Sequence, residues 1–288
     1  MSKLSFSGHE SFQCRNLWLK KGYDFSVDDH DFNSDLAVIE LGVGKNMVNS
    51  IKFWMKAFDL INEKGETTTL APFLFDELGK DPYLEDVGTL WLLHYKLLTS
   101  NKASIYSLFF NYFRKQRIEF SKTHLMNFLI SECSHRGEKH SENTIETDIG
   151  VLLKNYVRPI SKGNTKDIED NYSSLMIELD LIKPIIDRKD WYECKNEFRS
   201  NLPTEIVFYS ILTNQRYSKS SSISFNHLLN DENSPGIAFA LDADSLLSHI
   251  KQITKSFDGV VYTEDAGIRE LQFNKKPEPL EVLEAYYD

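Results

Sequence analysis

Two predicted helices joined by a glycine turn and followed by a short hairpin constrain the fold of this chain most strongly. Ser34 is a candidate N-cap for a first helix over Asp35–Glu40, and the two glycines of residues 41–44 predict a tight turn. Apolar residues at helical spacing predict a second helix over Lys45–Phe58. Residues 62–70 then predict a strand, a turn and a strand. This order is typical of a winged helix-turn-helix module.

The second predicted helix carries amide and ammonium groups on the face opposite its apolar stripe. These groups belong to Lys45, Asn46, Asn49, Lys52 and Lys56. Lysine and asparagine side chains suit phosphates and base edges in a major groove, so we expect this face to contact DNA. Winged helices also act as protein-contact modules, and a lysine-bearing face is often simply solvated. That alternative stays open at this point.

The net charge of −10 argues against a protein that wraps nucleic acid over a broad surface. The distribution is uneven, however. Residues 45–56 carry three lysines and no acid, whereas residues 22–41 carry six acids and neither Lys nor Arg. A local basic face on an acidic body is consistent with limited DNA contact whose affinity falls steeply with salt.

The 288 residues allow roughly two or three domains. We predict an N-terminal motif plus winged helix-turn-helix over residues 1–80, a helical central domain over residues 81–200, and a C-terminal winged-helix-like domain over residues 201–288. The predicted fold class is mainly α with small β-hairpins (α+β), in which winged helix-turn-helix domains flank a helical centre.

The central segment is rich in helical patterns. Residues 84–113 are apolar nearly all round, which predicts buried helices, and amphipathic helices are predicted over Thr123–Cys133 and Ser141–Tyr156. Residues 163–167 predict a polar surface loop.

The C-terminal segment repeats the helix-turn-helix and hairpin pattern. Helices are predicted over Pro203–Leu212, Ser224–Asn230 and Asp242–Lys255, followed by a strand–turn–strand over Gly259–Phe273. The helix that would read DNA begins with acids, which repel phosphate. We therefore expect this second module to make protein contacts or to have a structural role.

The N-terminal motif, residues 6–24, predicts a helix that begins with a capping box at residues 7–10. This explanation does not require His9, Cys14 or Arg15, for which three hypotheses remain. His9, Glu10 and Cys14 are candidate metal ligands. Cys14 beside Arg15 is a candidate reactive thiol with a lowered pKa. The third hypothesis is a set of phosphate contacts made by Arg15, Lys20 and Lys21.

The N-terminal FSGHESF and WLKKGYD segments, together with LGVGKNMV at residues 41–48, resemble the SspB-like family of bacterial DNA phosphorothioation (Ssp-type) defence systems, formerly a domain of unknown function. The resemblance is close over residues 6–61 and loose beyond them. It implies a DNA-modification component proposed to nick DNA, so that sulfur can replace a non-bridging phosphate oxygen. It also implies two partner proteins, a PAPS-reductase-like protein and an ATPase.

A nickase needs a catalytic centre, and the residues alone indicate one weakly. A metal-dependent nuclease uses clustered carboxylates to hold Mg²⁺ or Mn²⁺ at the scissile phosphate. Two sets of residues are candidates: the string Asp187, Asp190, Glu193 and Lys195, and the pair His9 and Glu10 as a possible base. The spacing from Asp187 to Glu193 is short for a nuclease motif. An exposed, charged helix end also explains these residues.

Three cysteines far apart in the sequence give no disulfide framework, in agreement with a reducing compartment. The sequence lacks an apolar run of about 18–20 residues and a signal-peptide apolar region, so we expect a cytoplasmic protein without membrane contact. The function predicted from the sequence is DNA binding within a phosphorothioate modification system, with possible nicking. The alternative is a non-catalytic winged-helix adaptor or a protein resembling a transcription regulator.

Overall fold

The computed structural model describes residues 3–28, 30–159 and 174–288, and its contacts divide the chain into two units, Met1–Cys194 and Lys195–Asp288. The predicted loop at residues 163–167 lies outside the described residues. The α-helices described in the first unit are α1 (Trp18–Val27), α2 (Ala37–Glu40), α3 (Lys45–Ala57), α4 (Leu70–Phe75), α5 (Val87–Thr99), α6 (Ser104–Leu108), α7 (Arg114–Gln116), α8 (Lys122–His135) and α9 (Glu142–Tyr156). A π-helix over Phe109–Phe113 precedes α7, and a 3-10 helix spans Leu175–Leu179.

Two helices joined by a turn, α2 and α3, lie where the helix-turn-helix is predicted. Gly42 has a φ of 64° in this turn, which is the left-handed conformation that glycine adopts without strain. The predicted wing is much reduced. A single bridge pairs Ile61 with Thr67, and the side chain of Asn62 accepts the backbone N–H groups of Lys64 and Glu66. This local capping makes a tight turn in place of two strands, and α4 follows directly.

A small sheet lies within the segment predicted to form a helical central domain. The strands β1 (Glu119–Ser121), β2 (Lys183–Pro184) and β3 (Trp191–Glu193) form an antiparallel sheet in the order β1-β3-β2. Residues 185–195, interpreted from the sequence as a helix end, belong to the β2–β3 hairpin and the residues after it. Strands of two or three residues are too short to show period-two alternation.

The second unit confirms the helices and the hairpin predicted for it. Its elements are α10 (Thr204–Thr213), β4 (Ser222–Ser224), α11 (Phe225–Asn230), α12 (Pro235–Ala238), α13 (Ala243–Ser256), β5 (Val260–Asp265), β6 (Ile268–Phe273) and α14 (Pro279–Tyr287). The Asp242 carboxylate caps α13 by accepting the N–H of Ser245 at 2.8 Å. Ala266 and Gly267 both have positive φ, as a two-residue hairpin turn requires.

The two small sheets share one arrangement. In residues 109–193 and in residues 204–273, a helical segment leads to a strand, further helices follow, and a hairpin ends the segment. In each sheet the last strand lies between the other two, in the orders β1-β3-β2 and β4-β6-β5. In the ranges that the structure describes, no helix is both long and apolar enough to cross a bilayer.

The core of the second unit contains a histidine. His249 on α13 is buried, and its Nδ1 lies 2.9 Å from the hydroxyl oxygen of Thr204 on α10. Desolvation by burial lowers the pKa of His249 from 6.5 to about 4. The imidazole is therefore neutral in the folded protein at neutral pH.

We expect the second unit to lose stability below pH 6.5. The unfolded chain, in which this histidine keeps its ordinary pKa, binds more protons between pH 6.5 and 4 than the folded chain does. The contribution of the neutral imidazole is thus complete above about pH 6.5 and falls by up to roughly 3 kcal/mol toward pH 4. Hydrogen exchange of α13 against pH measures this slope. A His249→Gln variant should flatten the slope between pH 6.5 and 5, and an unchanged slope would contradict the assignment.

Candidate nucleic-acid interface

Helix α3 is fixed to the first unit by its buried face. Ile51, Trp54 and Met55 are fully buried, and the Trp54 indole donates to the carbonyl of Phe12 at 3.2 Å. A Cβ added to Gly22 of α1 would lie 2.8 Å from the Met55 side chain, so the two helices approach at a distance that only glycine permits. The opposite face of α3 is thereby held rigidly toward solvent.

The exposed face of α3 combines lysines, amides and an open helix start. Lys45, Asn46 and Asn49 are exposed, and Lys45 has no ion pair or hydrogen bond within the described part of the chain. Gly44 is the N-cap and provides no side-chain cap, and the first turn contains no acid. The unpaired N–H groups and the helix dipole make this end positive. Lys52 is half-buried and donates to Asn33 Oδ1 at 2.9 Å.

Lys56 differs from the other lysines of α3 because it is already neutralised. Its ammonium lies 3.0 Å from Glu63, and Lys102 forms a second ion pair with the same carboxylate. The hydrogen bonds from Lys102 and Lys56 lower the pKa of Glu63 to about 2. The predicted contact at Lys56 therefore lies inside a cluster that sequence reasoning did not identify, since Glu63 and Lys102 come from the turn after α3 and from the loop after α5.

The N-terminal motif is a structural anchor in this fold, and the predicted capping box is wrong. Residues 7–11 form a turn with positive φ at Ser7, Glu10 and Ser11, and helix α1 begins only at Trp18, without a side-chain cap. The motif does not form a helix here because its backbone is hydrogen-bonded to a distant part of the chain. The backbone N–H of Ser7 donates to Asp148 on α9 at 2.9 Å.

His9 lies inside this anchor. The residue is 1% exposed, and its Nδ1 accepts the N–H of Ser11 at 3.1 Å. Its Nε2 lies 3.1 Å from Asp148 Oδ1 without hydrogen-bond geometry. Glu10 points the other way. It is exposed, and its carboxylate lies 3.4 Å from the amide nitrogen of Asn49 on α3. The two predicted catalytic residues therefore do not face a common space.

Cys14 is part of the same anchor. It is 1% exposed, and burial raises the pKa of its thiol well above the usual value. The hypothesis of a reactive thiol with a lowered pKa is therefore wrong, because the desolvated thiolate is unfavourable. The backbone N–H of Cys14 donates to Asn155 of α9, which also bonds the side chains of Tyr106 and Ser174.

The other predicted cations lie along α1 and just before it. Arg15 lies 5.6 Å from the Trp18 ring in a cation–π contact. Lys20 pairs with Asp24 at 2.6 Å, and Lys21 is exposed beside Asp24 at a shallow cleft that also contains carboxylates. This surface is mixed in charge, unlike the start of α3.

The predicted catalytic string does not form a metal-binding cluster. Asp187 and Asp190 are exposed in the β2–β3 turn, Glu193 faces Glu119 of β1 across the sheet, and Lys195 begins the second unit. Among the described residues, no group of three or more His, Cys, Asp or Glu side chains is placed to hold a metal ion. The string as folded does not match the clustered carboxylates that hold Mg²⁺ or Mn²⁺ in a nuclease.

A cleft of about 230 Å³ adjoins the exposed face of α3. The sequence does not predict this cleft, because the acidic stretch before α2 shows where charge lies but not how the chain folds around it. Its lining residues are Phe32, Asn33, Ser34, Asp35, Val38, Lys45, Val48 and Asn49. Lys45 and Asn49 therefore belong to both the helix face and the cleft.

Comparison with known proteins places the whole chain among relatives. Residues 6–287 match a family described as "Protein of unknown function (DUF4007)". The chain is also similar to a "Magnesium ion-bound SspB crystal structure", with a TM-score of 0.88 and 30% identity over 99% of this chain and 88% of that one. A second "SspB crystal structure" aligns with a TM-score of 0.85 and 29% identity over the same shares. No curated protein sequence matches the chain.

Proposed function

The chain belongs to the SspB-like family, described as DUF4007, and on this premise we propose that it is a DNA-binding component of a bacterial DNA phosphorothioate modification system. One observation carries the proposal of DNA contact. The exposed face of α3 presents Lys45, Asn46 and Asn49 at a helix start with no side-chain cap. Phosphate is the ligand that suits such an end, and asparagine amides suit base edges.

The shape and charge of the surroundings support a limited contact. A rigid helix that presents Lys45 and Asn46 on its exposed face fits a major groove without rearrangement. The acidic body, with a net charge of −10, disfavours a larger footprint. We therefore expect weak binding by the isolated protein, with partners supplying further affinity. The PAPS-reductase-like protein and the ATPase that the resemblance implies are the proposed partners.

The proposed fold of this interface is a winged helix with a minimal wing. The order and sheet pairing of residues 204–273 support a second module of this type. Its exposed helix face carries Asp244, Ser248, Lys251 and Lys255, which is mixed in charge. We propose that this second module contacts protein rather than DNA.

The test is a titration of a fluorescently labelled duplex with the purified full-length protein, followed by anisotropy. We expect saturable binding near 50 mM salt that weakens by at least about tenfold toward 200 mM salt, because phosphate contacts release counterions. No binding at the lower salt concentration would contradict the proposal and favour a protein adaptor.

Magnesium-dependent nicking is the second candidate function, favoured by the relative that is described as magnesium-bound. The carboxylates at Asp187, Asp190 and Glu193 are the candidates for this activity, although they do not cluster in the described structure. Conversion of supercoiled plasmid to open circle with Mg²⁺ or Mn²⁺, suppressed by EDTA, would support it. Plasmid left intact by DNA-binding protein in both metals would contradict it.

Replacing Glu63 with glutamine is expected to tighten DNA binding. The substitution removes the carboxylate that neutralises Lys56 and Lys102, so both ammonium groups become available to phosphate. Exposed charges contribute little to the free energy of binding, so we expect the affinity for DNA to increase by about threefold. Duplex titration at constant salt measures it. The control is Glu77→Gln, which makes the same charge change at an exposed residue. Equal tightening in both variants would indicate a general effect of net charge instead.

A further inference from the structure

Three apolar side chains line part of the cleft beside α3. Phe32 and Val48 are buried, and Val38 is half-buried on α2. The Phe32 ring is fixed by the ring of Phe25, whose centroid lies 4.7 Å away. A preformed space with an aromatic side chain and two branched aliphatic side chains suits a flat apolar group.

The rim of the cleft is polar, and several of its groups are available. The Asp35 carboxylate and the Lys45 ammonium have no hydrogen-bond or ion-pair partner within the described ranges. The Asn49 amide donates only one long hydrogen bond, 3.4 Å, to Glu10. The rim thus offers an anionic acceptor, an amide and a cation around one apolar space. That combination matches the edge of a nucleobase with its phosphate nearby.

The size of the cleft narrows the choice of ligand. Its volume of about 230 Å³ lies below the ~300–1,000 Å³ of pockets for drug-sized ligands. One heterocyclic ring system is therefore a better match than a whole nucleotide cofactor. Lys45 and Asn49 also lie on the helix face proposed to contact DNA, so a base from that same DNA is the nearest source.

We propose that this cleft receives a single nucleobase extruded from the DNA bound along α3. The inference rests on the proposed function and adds to it a base-specific pocket. The apolar lining contacts one face of the base, while Asp35 and Asn49 meet its polar edge. Lys45 stays near the phosphate of the extruded nucleotide, which makes it a DNA-binding residue rather than a catalytic one.

The experiment uses duplexes in which 2-aminopurine replaces one base at a time, bound to the full-length protein. Emission of this base rises when it leaves the stack. We expect a rise of several-fold at one position. Anisotropy on the same samples reports DNA binding independently, so a failure of binding and a failure of base extrusion are distinguishable.

Two variants of α2 provide the matched comparison. Val38→Trp fills the cleft, whereas Ile39→Trp adds the same side chain at a neighbouring position that is 75% exposed. The emission rise should disappear in Val38→Trp and persist in Ile39→Trp. Asp35→Ala, which changes only an exposed side chain at the rim, should reduce the rise even if the filled cleft destabilises the fold.

Three outcomes would overturn the inference. Bound DNA without an emission rise at any position overturns it and leaves the proposed function intact. A rise that persists in both Val38→Trp and Asp35→Ala places the extruded base elsewhere. Absence of DNA binding at low salt overturns the inference together with the proposed function.

Discussion

A variant that carries Lys45→Glu and Lys52→Glu is expected to lose affinity for duplex DNA by roughly 100-fold or more at moderate salt. Each substitution removes an ammonium from the exposed face of α3 and places a carboxylate at the same point. Lys45 has no partner in the described structure, and Lys52 bonds only a neutral amide, Asn33. Both cations are thus available to phosphate in the wild-type protein. The slope of log affinity against log salt should also become shallower by about two.

The control for this variant is the pair Lys251→Glu and Lys255→Glu on α13. Both lysines are exposed, and the change in net charge is the same. We expect a loss of only a few-fold from the general repulsion. If the control loses as much affinity as the α3 variant, net charge and not the α3 face governs binding. Circular dichroism of both variants checks that the fold is intact.

Asn155→Ala is expected to destabilise the first unit by roughly 3 to 5 kcal/mol. The Asn155 amide accepts the N–H of Cys14 at 3.2 Å and the hydroxyl of Ser174 at 3.0 Å, and it donates to Tyr106 at 2.6 Å. All of these groups are buried. Alanine removes the side-chain partner of the Cys14 N–H and of the Tyr106 hydroxyl, whereas Ser174 keeps its bond to the backbone carbonyl of residue 155. It also opens a small cavity, and both effects lower the free energy of unfolding.

Denaturant unfolding followed by tryptophan fluorescence measures this effect on the first unit alone. The four tryptophans of the chain all lie at or before residue 191, and the second unit begins at Lys195. Asn143→Ala on the exposed face of the same helix is the matched control and should change stability by less than about 0.5 kcal/mol. A loss below about 1 kcal/mol in Asn155→Ala would contradict the role of this residue as an anchor.

Local patterns predicted much of the fold. Helix α3 and helix α13 have clear apolar periodicity, and the hairpin of the second unit has alternation around a turn of Ala266 and Gly267. Their boundaries agree with the sequence interpretation to within a residue or two. The sequence patterns that define these elements all come from residues close together in the chain.

The N-terminal motif shows where local reasoning fails. Ser7 and Cys14 each bond to a residue of α9 that is 141 positions away. The partners Asp148 and Asn155 lie on the buried face of a helix whose polar residues gave no sign of their targets. Local spacing therefore predicts a capping box at a place where the structure has a long-range anchor. Local patterns miss strand β1 for a related reason, because it pairs with β3 about 70 residues further along the chain.

The candidate site was predicted in part. The exposed positions of Lys45, Asn46 and Asn49 follow from helical periodicity alone. The neutralisation of Lys56 depends on Glu63 and Lys102, which only the folded chain brings together. The cleft beside α3 likewise depends on how the segment before α2 folds back, and no spacing rule describes such a shape.

Site-directed crosslinking tests the central claim most directly. The three native cysteines are buried, so a single exposed cysteine can carry a photoreactive group. Asn46→Cys places this group at the second residue of α3, and Asn143→Cys places it at the second residue of α9, also exposed. With a labelled duplex at low salt, we predict a covalent protein–DNA adduct from Asn46→Cys and little from Asn143→Cys. Equal adducts from both positions, or an adduct from Asn143→Cys alone, would contradict DNA contact through α3.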